Sequence, residues 1–89
     1  MKYTFKVTKE ILKESVKKLT NGDTSSRSCA IACAVQKQFP DARMGNIWLH
    51  VDHRDIAVSK SVSDYVAMFD TAEMEDRLNL PEFEFTLNL

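Results

Sequence analysis

The sequence predicts an α+β domain of two layers, with about four mostly antiparallel strands in one sheet and three helices packed on one of its faces. Three observations predict it. Apolar and polar residues alternate near both ends of the chain, over residues 3–7 and 83–87, which is the period of a half-buried strand. Two segments, residues 9–19 and 61–69, carry apolar residues at helical spacing. Between them, residues 28–39 (SCAIACAVQKQF) are apolar on nearly every side, so this helix has to be covered on nearly every side and becomes the hub of the fold. The expected order is β-α-α-β-β-α-β.

Each element follows from local chemistry. In the first strand Tyr3, Phe5 and Val7 alternate with Thr4 and Lys6. Thr8 then caps a helix whose stripe is Ile11, Leu12, Val16 and Leu19, while Glu10, Lys13, Glu14, Lys17 and Lys18 take the wet side at spacings where opposite charges help. Asn21-Gly22 ends it by offering left-handed backbone angles. Ser26 or Ser28 is expected to cap the hub helix, in which Ala30, Ile31, Ala32, Cys33, Ala34 and Val35 run without a charge, and Pro40 closes it.

Ile47, Leu49 and Val51 alternate with Asn46, Trp48 and His50, residues 52–55 form a polar turn, and Ile56 to Val58 returns, so residues 46–59 form a β-hairpin. Ser61 with Asp64 resembles a capping box ahead of the stripe Val62, Tyr65, Val66 and Phe69. That helix is expected to stop near Asp70 or to continue unevenly toward Arg77. Phe83, Phe85 and Leu87 alternate with Glu82, Glu84 and Thr86 in the last strand. Lys2 and Lys6 at one end of the chain and Glu82 and Glu84 at the other suit neighbouring strands, so the two terminal strands are expected to pair, with the hub helix over Tyr3, Phe5, Phe83 and Phe85.

Length and composition set bounds. With 89 residues the chain makes one domain, residues 1–89. An apolar content of 44% with 28% charged residues is that of a globular protein rather than a disordered one. Twelve basic against thirteen acidic residues leave a formal charge of −1, so no bulk field draws DNA, RNA or an anionic membrane. No apolar run approaches the roughly 20 residues of a membrane span, and no hydrophobic signal core follows Lys2 and Lys6, so the chain is expected in the cytoplasm. Cys29 and Cys33, four residues apart on one helix, are poorly placed for a mutual disulfide.

The segments Val7-Thr8-Lys9-Glu10, Cys29-Ala30-Ile31-Ala32-Cys33-Ala34, Phe69-Asp70 and Pro81-Glu82-Phe83-Glu84-Phe85-Thr86-Leu87 make the chain resemble a group of short bacterial and phage proteins. That group opens with a strand and a V-T-x-E helix start, carries a C-P-I-A-x-A helix and closes with an aspartate-ended helix and a P-x-F-x-F-x-L strand. Here Ala30 stands where the group tends to have proline, and residues 71–80 are longer than its usual turn. The resemblance implies the same architecture and a phage or prophage origin. It implies no activity.

Several constellations could carry chemistry. Cys29 and Cys33, with His50 and His53 beyond a gap of sixteen residues, are a valid donor set for tetrahedral zinc, although here the cysteines lie on an apolar helix and the histidines on a strand and its turn. Cys29 near a helix start is a candidate nucleophile, with His50 or His53 as base and Asp52 or Asp55 as orienter. Set against both is the role of core cysteines as small hydrophobes. Lys9, Lys13, Lys17 and Lys18 form a basic edge for weak nucleic-acid binding, diluted by Glu10 and Glu14. No cofactor and no small-molecule substrate is signalled, and no catalytic residue stands out.

Binding fits better than catalysis. If Leu49 and Val51 face the helices together with Ile47, then Trp48 and His50 face the other side of the sheet, near Thr4, Lys6, Ala57 and Glu84, where a tryptophan can anchor a partner or a second copy. Asp70, Glu73, Glu75 and Asp76 form an acidic segment suited to a basic partner. The expectation is therefore a small non-enzymatic protein-interaction module, with Trp48, His50 and those four acidic residues at its partner surface.

Overall fold

The computed structural model describes all residues, 1–89. β1 (Lys2–Val7) leads directly into α1 (Lys9–Thr20), because Thr8 turns the chain: its Oγ1 accepts the N–H of Ile11 at 3.2 Å. α1 buries Ile11 and Leu12. It ends where Gly22 takes a φ of +90°, a conformation that side chains with a Cβ rarely adopt.

The hub is two helices rather than one. α2 (Ser25–Ser28) and α3 (Ala30–Gln36) are separated by Cys29, whose ψ of 143° is extended. Neither Ser26 nor Ser28 caps the hub helix: Thr24 precedes α2, and Cys29 itself sits at the N-cap of α3. The break frees the carbonyl of Ser28, which accepts the hydroxyl of the buried Ser15 and the Cys33 thiol. Every residue from Ala30 to Val35 is no more than 3% exposed.

That all-round burial is achieved with two sheets. β1 pairs antiparallel with β5 (Phe83–Asn88), while β2 (Arg43–Met44), β3 (Trp48–Val51) and β4 (Arg54–Ala57) form a second antiparallel sheet in the order β2-β3-β4. α3 packs against α1, α4 (Lys60–Thr71), β1 and β2, so it touches both sheets. The α+β class and antiparallel pairing agree with the sequence, but the strands divide into two groups instead of one sheet of four. A helix apolar on one stripe needs a single sheet, whereas one apolar all round needs cover on several sides.

The terminal strands pair in full, from Lys2 opposite Asn88 to Val7 opposite Phe83. Lys6 stands opposite Glu84 as its charge suggests. Glu82 lies beyond the ladder and accepts the backbone N–H of Lys9 at 3.1 Å, so Lys2 has no glutamate across from it. Phe5 and Phe85 stack at 5.7 Å under the hub, and Phe83 stacks at 4.7 Å on Tyr65 of α4 (Lys60–Thr71).

Ser59, not Ser61, caps α4, its Oγ accepting the N–H of Val62 at 3.4 Å. Asp64 is therefore no capping-box partner and pairs instead with Lys60 at 2.9 Å. The stripe Val62, Tyr65, Val66 and Phe69 is buried as its spacing requires. An extended Ala72 ends α4 and a short α5 (Met74–Arg77) follows, with the Arg77 guanidinium 4.6 Å over the Phe69 ring. No helix is long and apolar enough to cross a membrane.

Candidate functional site

The second sheet turns Met44, Leu49 and Val51 into the core and leaves its other side open. Strand register decides what lies there. Arg43, His50 and Asp55 are cross-strand neighbours and form one row over β2, β3 and β4. In the next row Trp48 stands between Ala57, its partner on β4, and Gly45, whose N–H bonds the Trp48 carbonyl at 2.8 Å. One flank offers a methyl group and the other no side chain at all, so the indole stays 53% exposed. Ile47, just outside β3, is 54% exposed rather than facing inward with Leu49 and Val51. Arg43, Gly45, Trp48, His50 and Asp55 border a cleft of about 530 Å³ together with Met44 and Ser26.

His50 is held by a hydrogen bond at one ring nitrogen and faces a second carboxylate with the other. Nδ1 shares a hydrogen bond of 2.9 Å with Asp55 Oδ1, and Nε2 lies 3.7 Å from Asp41 Oδ2. Asp41 in turn holds the hairpin turn, its carboxylate accepting the backbone N–H groups of Asp52 at 3.2 Å and His53 at 3.0 Å. Those two residues have φ of 52° and 61°, the left-handed pair that a two-residue hairpin turn needs and that glycine or asparagine adopts more easily. The bonds from His53 and then Asp52 hold the Asp41 carboxyl below its ordinary value. His53 thus contributes its backbone to the turn. Nothing in the local sequence around Pro40-Asp41 signals this clamp, because its partners lie eleven and twelve residues further on.

The expected neighbourhood of Trp48 is only partly met. Ala57 adjoins it, whereas Thr4, Lys6 and Glu84 belong to the other sheet. What joins it instead is a second cleft of about 220 Å³ that shares Ser26, Met44 and Gly45 with the first and reaches Cys29, Asn46 and Asp70. Of the acidic segment, Asp70 therefore lies on the groove. Glu73, Glu75 and Asp76 are exposed just beyond it and line neither cleft.

The cysteines behave as core residues. Cys29 is 4% exposed, and burial pushes its thiol up to about 11 despite the backbone amides of Ile31 and Ala32, which favour the thiolate. Cys33 is fully buried, its thiol raised by desolvation and donating to the Ser28 carbonyl at 3.5 Å. No three His, Cys, Asp or Glu side chains converge as a metal-holding group, so Cys29, Cys33, His50 and His53 do not assemble into the tetrahedral set. The lysine edge is engaged in part: Lys9 donates to the Leu80 carbonyl at 2.8 Å, Lys13 lies 3.8 Å from Glu10, and Lys18 meets both Glu14 and Gln36, while Lys17 is exposed and has no side-chain partner.

No protein-family model matches the chain, and neither a curated protein nor a solved structure matches it.

Proposed function

We propose that this chain is a small non-enzymatic interaction module that docks a protein through the open side of the β2-β3-β4 sheet, with Trp48 as anchor. The observation that carries this reading is the placement of Trp48. An indole half in water, with a glycine and an alanine on its flanks and a cleft beside it, is an unfilled seat for an apolar side chain. The row Arg43, His50 and Asp55 gives the polar border that such a seat needs for orientation. Two buried free thiols suit a reducing compartment, and the reading includes action in the cytoplasm. The phage or prophage origin rests on the sequence resemblance alone.

Trp48 is the only tryptophan, which makes the test direct. A photo-reactive side chain placed at position 48 is expected to cross-link a protein in cells that carry this chain, and Trp48→Ala is expected to abolish capture of that protein while leaving the thermal midpoint in place. Equal capture by wild type and Trp48→Ala, with both folded, refutes the reading.

A further inference from the structure

The groove has two chemically opposite ends. At one end stands Arg43, exposed, with no carboxylate within ion-pair distance of its guanidinium, lining the first cleft with the exposed Trp48. At the other lies Asp70, which has no cationic partner within the same distance. Glu73 follows three residues later, within about 11 Å of chain, and is also unpaired. Arg77 does not neutralise these carboxylates, because its guanidinium is turned onto the Phe69 ring and the carbonyls of Asp70 and Ala72. The clefts join through Ser26, Met44 and Gly45, so both ends belong to one side of the molecule.

We propose that the occupant of this groove is a second copy of the chain, placed by a two-fold axis so that the Arg43–Trp48 end of each copy meets the Asp70 end of the other, with Glu73 three residues further along the chain. This rests on the reading that the groove is an interaction surface and names its partner. A two-fold contact requires a self-complementary patch, in which residue i meets residue j and j meets i. Here the basic, aromatic end supplies what the acidic end lacks. Arg43 and Asp70 line the joined clefts with opposite charge, so a two-fold contact pairs them twice and each copy neutralises the other.

The experiment is a charge swap followed by sedimentation. Wild type is expected to shift from the mass of one chain to that of two as concentration rises, with Trp48 emission moving to the blue at the same midpoint, and high salt is expected to weaken the dimer. Arg43→Glu alone, or Asp70→Lys with Glu73→Lys, should weaken self-association by about tenfold or more. Mixing the two variants should restore a heterodimer, since glutamate at 43 then faces lysines while the native Arg43 faces native carboxylates. All three residues are exposed, and circular dichroism verifies that each variant folds. A monomer at every concentration overturns the proposal, as does a dimer indifferent to both variants or a mixture that stays monomeric. If wild type stays monomeric yet cross-links a different protein through position 48, the second copy is refuted and the interaction reading stands. If neither self-association nor any Trp48-dependent capture occurs, both fall.

Discussion

Asp41 and His53 are twelve residues apart in the chain and 3.0 Å apart in space, where Oδ2 of the first accepts the backbone N–H of the second. This bond and its twin to Asp52 hold two residues in left-handed conformations at the tip of the β3-β4 hairpin. Asp41→Ala should therefore lower the thermal midpoint and speed amide exchange at Asp52 and His53, while His53→Gly, which relieves the conformation without removing the clamp, should not.

The same clamp sets a dependence on acid. The folded carboxyl of Asp41 titrates below its reference value of 3.8, so its contribution is complete above that value and is lost as the pH falls through the lower folded one. Thermal midpoints measured from neutral pH downward should fall less steeply at the acid end in Asp41→Asn than in wild type.

Burial raises the Cys29 thiol from 9.0 to about 11, which has a sign of its own. A group whose folded value is raised adds stability that is complete below the unfolded value and is lost as pH rises toward the folded one. Stability should decline between pH 9.0 and about 11, and the decline should be smaller in Cys29→Ala. At neutral pH both thiols should resist alkylation until the protein is unfolded.

The hub has no room for growth. Ala32 is completely buried where α3 meets its neighbours, so Ala32→Leu should cost about 1–3 kcal/mol by urea titration, as overpacking of a dense core does. Trp48→Ala, on the open face, should move stability by about 0.5 kcal/mol or less if the free chain leaves the indole in water.

The two serines at the head of α4 separate cleanly. Ser59→Ala removes the oxygen that accepts the Val62 N–H and should cost about 1 kcal/mol, whereas Ser61→Ala leaves that cap in place and should cost much less.

Much of the architecture is legible from residue spacing because spacing reports which face of an element must be dry. The stripe of α4, the Thr8 cap, the Lys6–Glu84 pairing and the burial of Ala30 to Val35 all follow from local period or local chemistry. Boundaries are less legible. The Ser59 cap is displaced two residues from the expected one, and the hub breaks at Cys29, because both depend on where a carbonyl or an amide finds its partner elsewhere in the fold.

Of the candidate site, alternation along 46–51 shows that Trp48 and His50 share a face opposite Leu49 and Val51. It does not show what stands beside them. The neighbours of Trp48 are Gly45 and Ala57, those of His50 are Arg43 and Asp55, and Asp41 braces the turn, all by way of strand register and long-range contact. Sequence by itself therefore determined α1, α4, the strands β1, β3, β4 and β5 and the all-round apolarity of the hub, since these depend on neighbours a few residues away. The tertiary structure alone decided that two sheets rather than one cover that hub, and that Arg43, Trp48 and Asp70 border a common groove, because pairing and packing between distant segments are settled only when their surfaces meet.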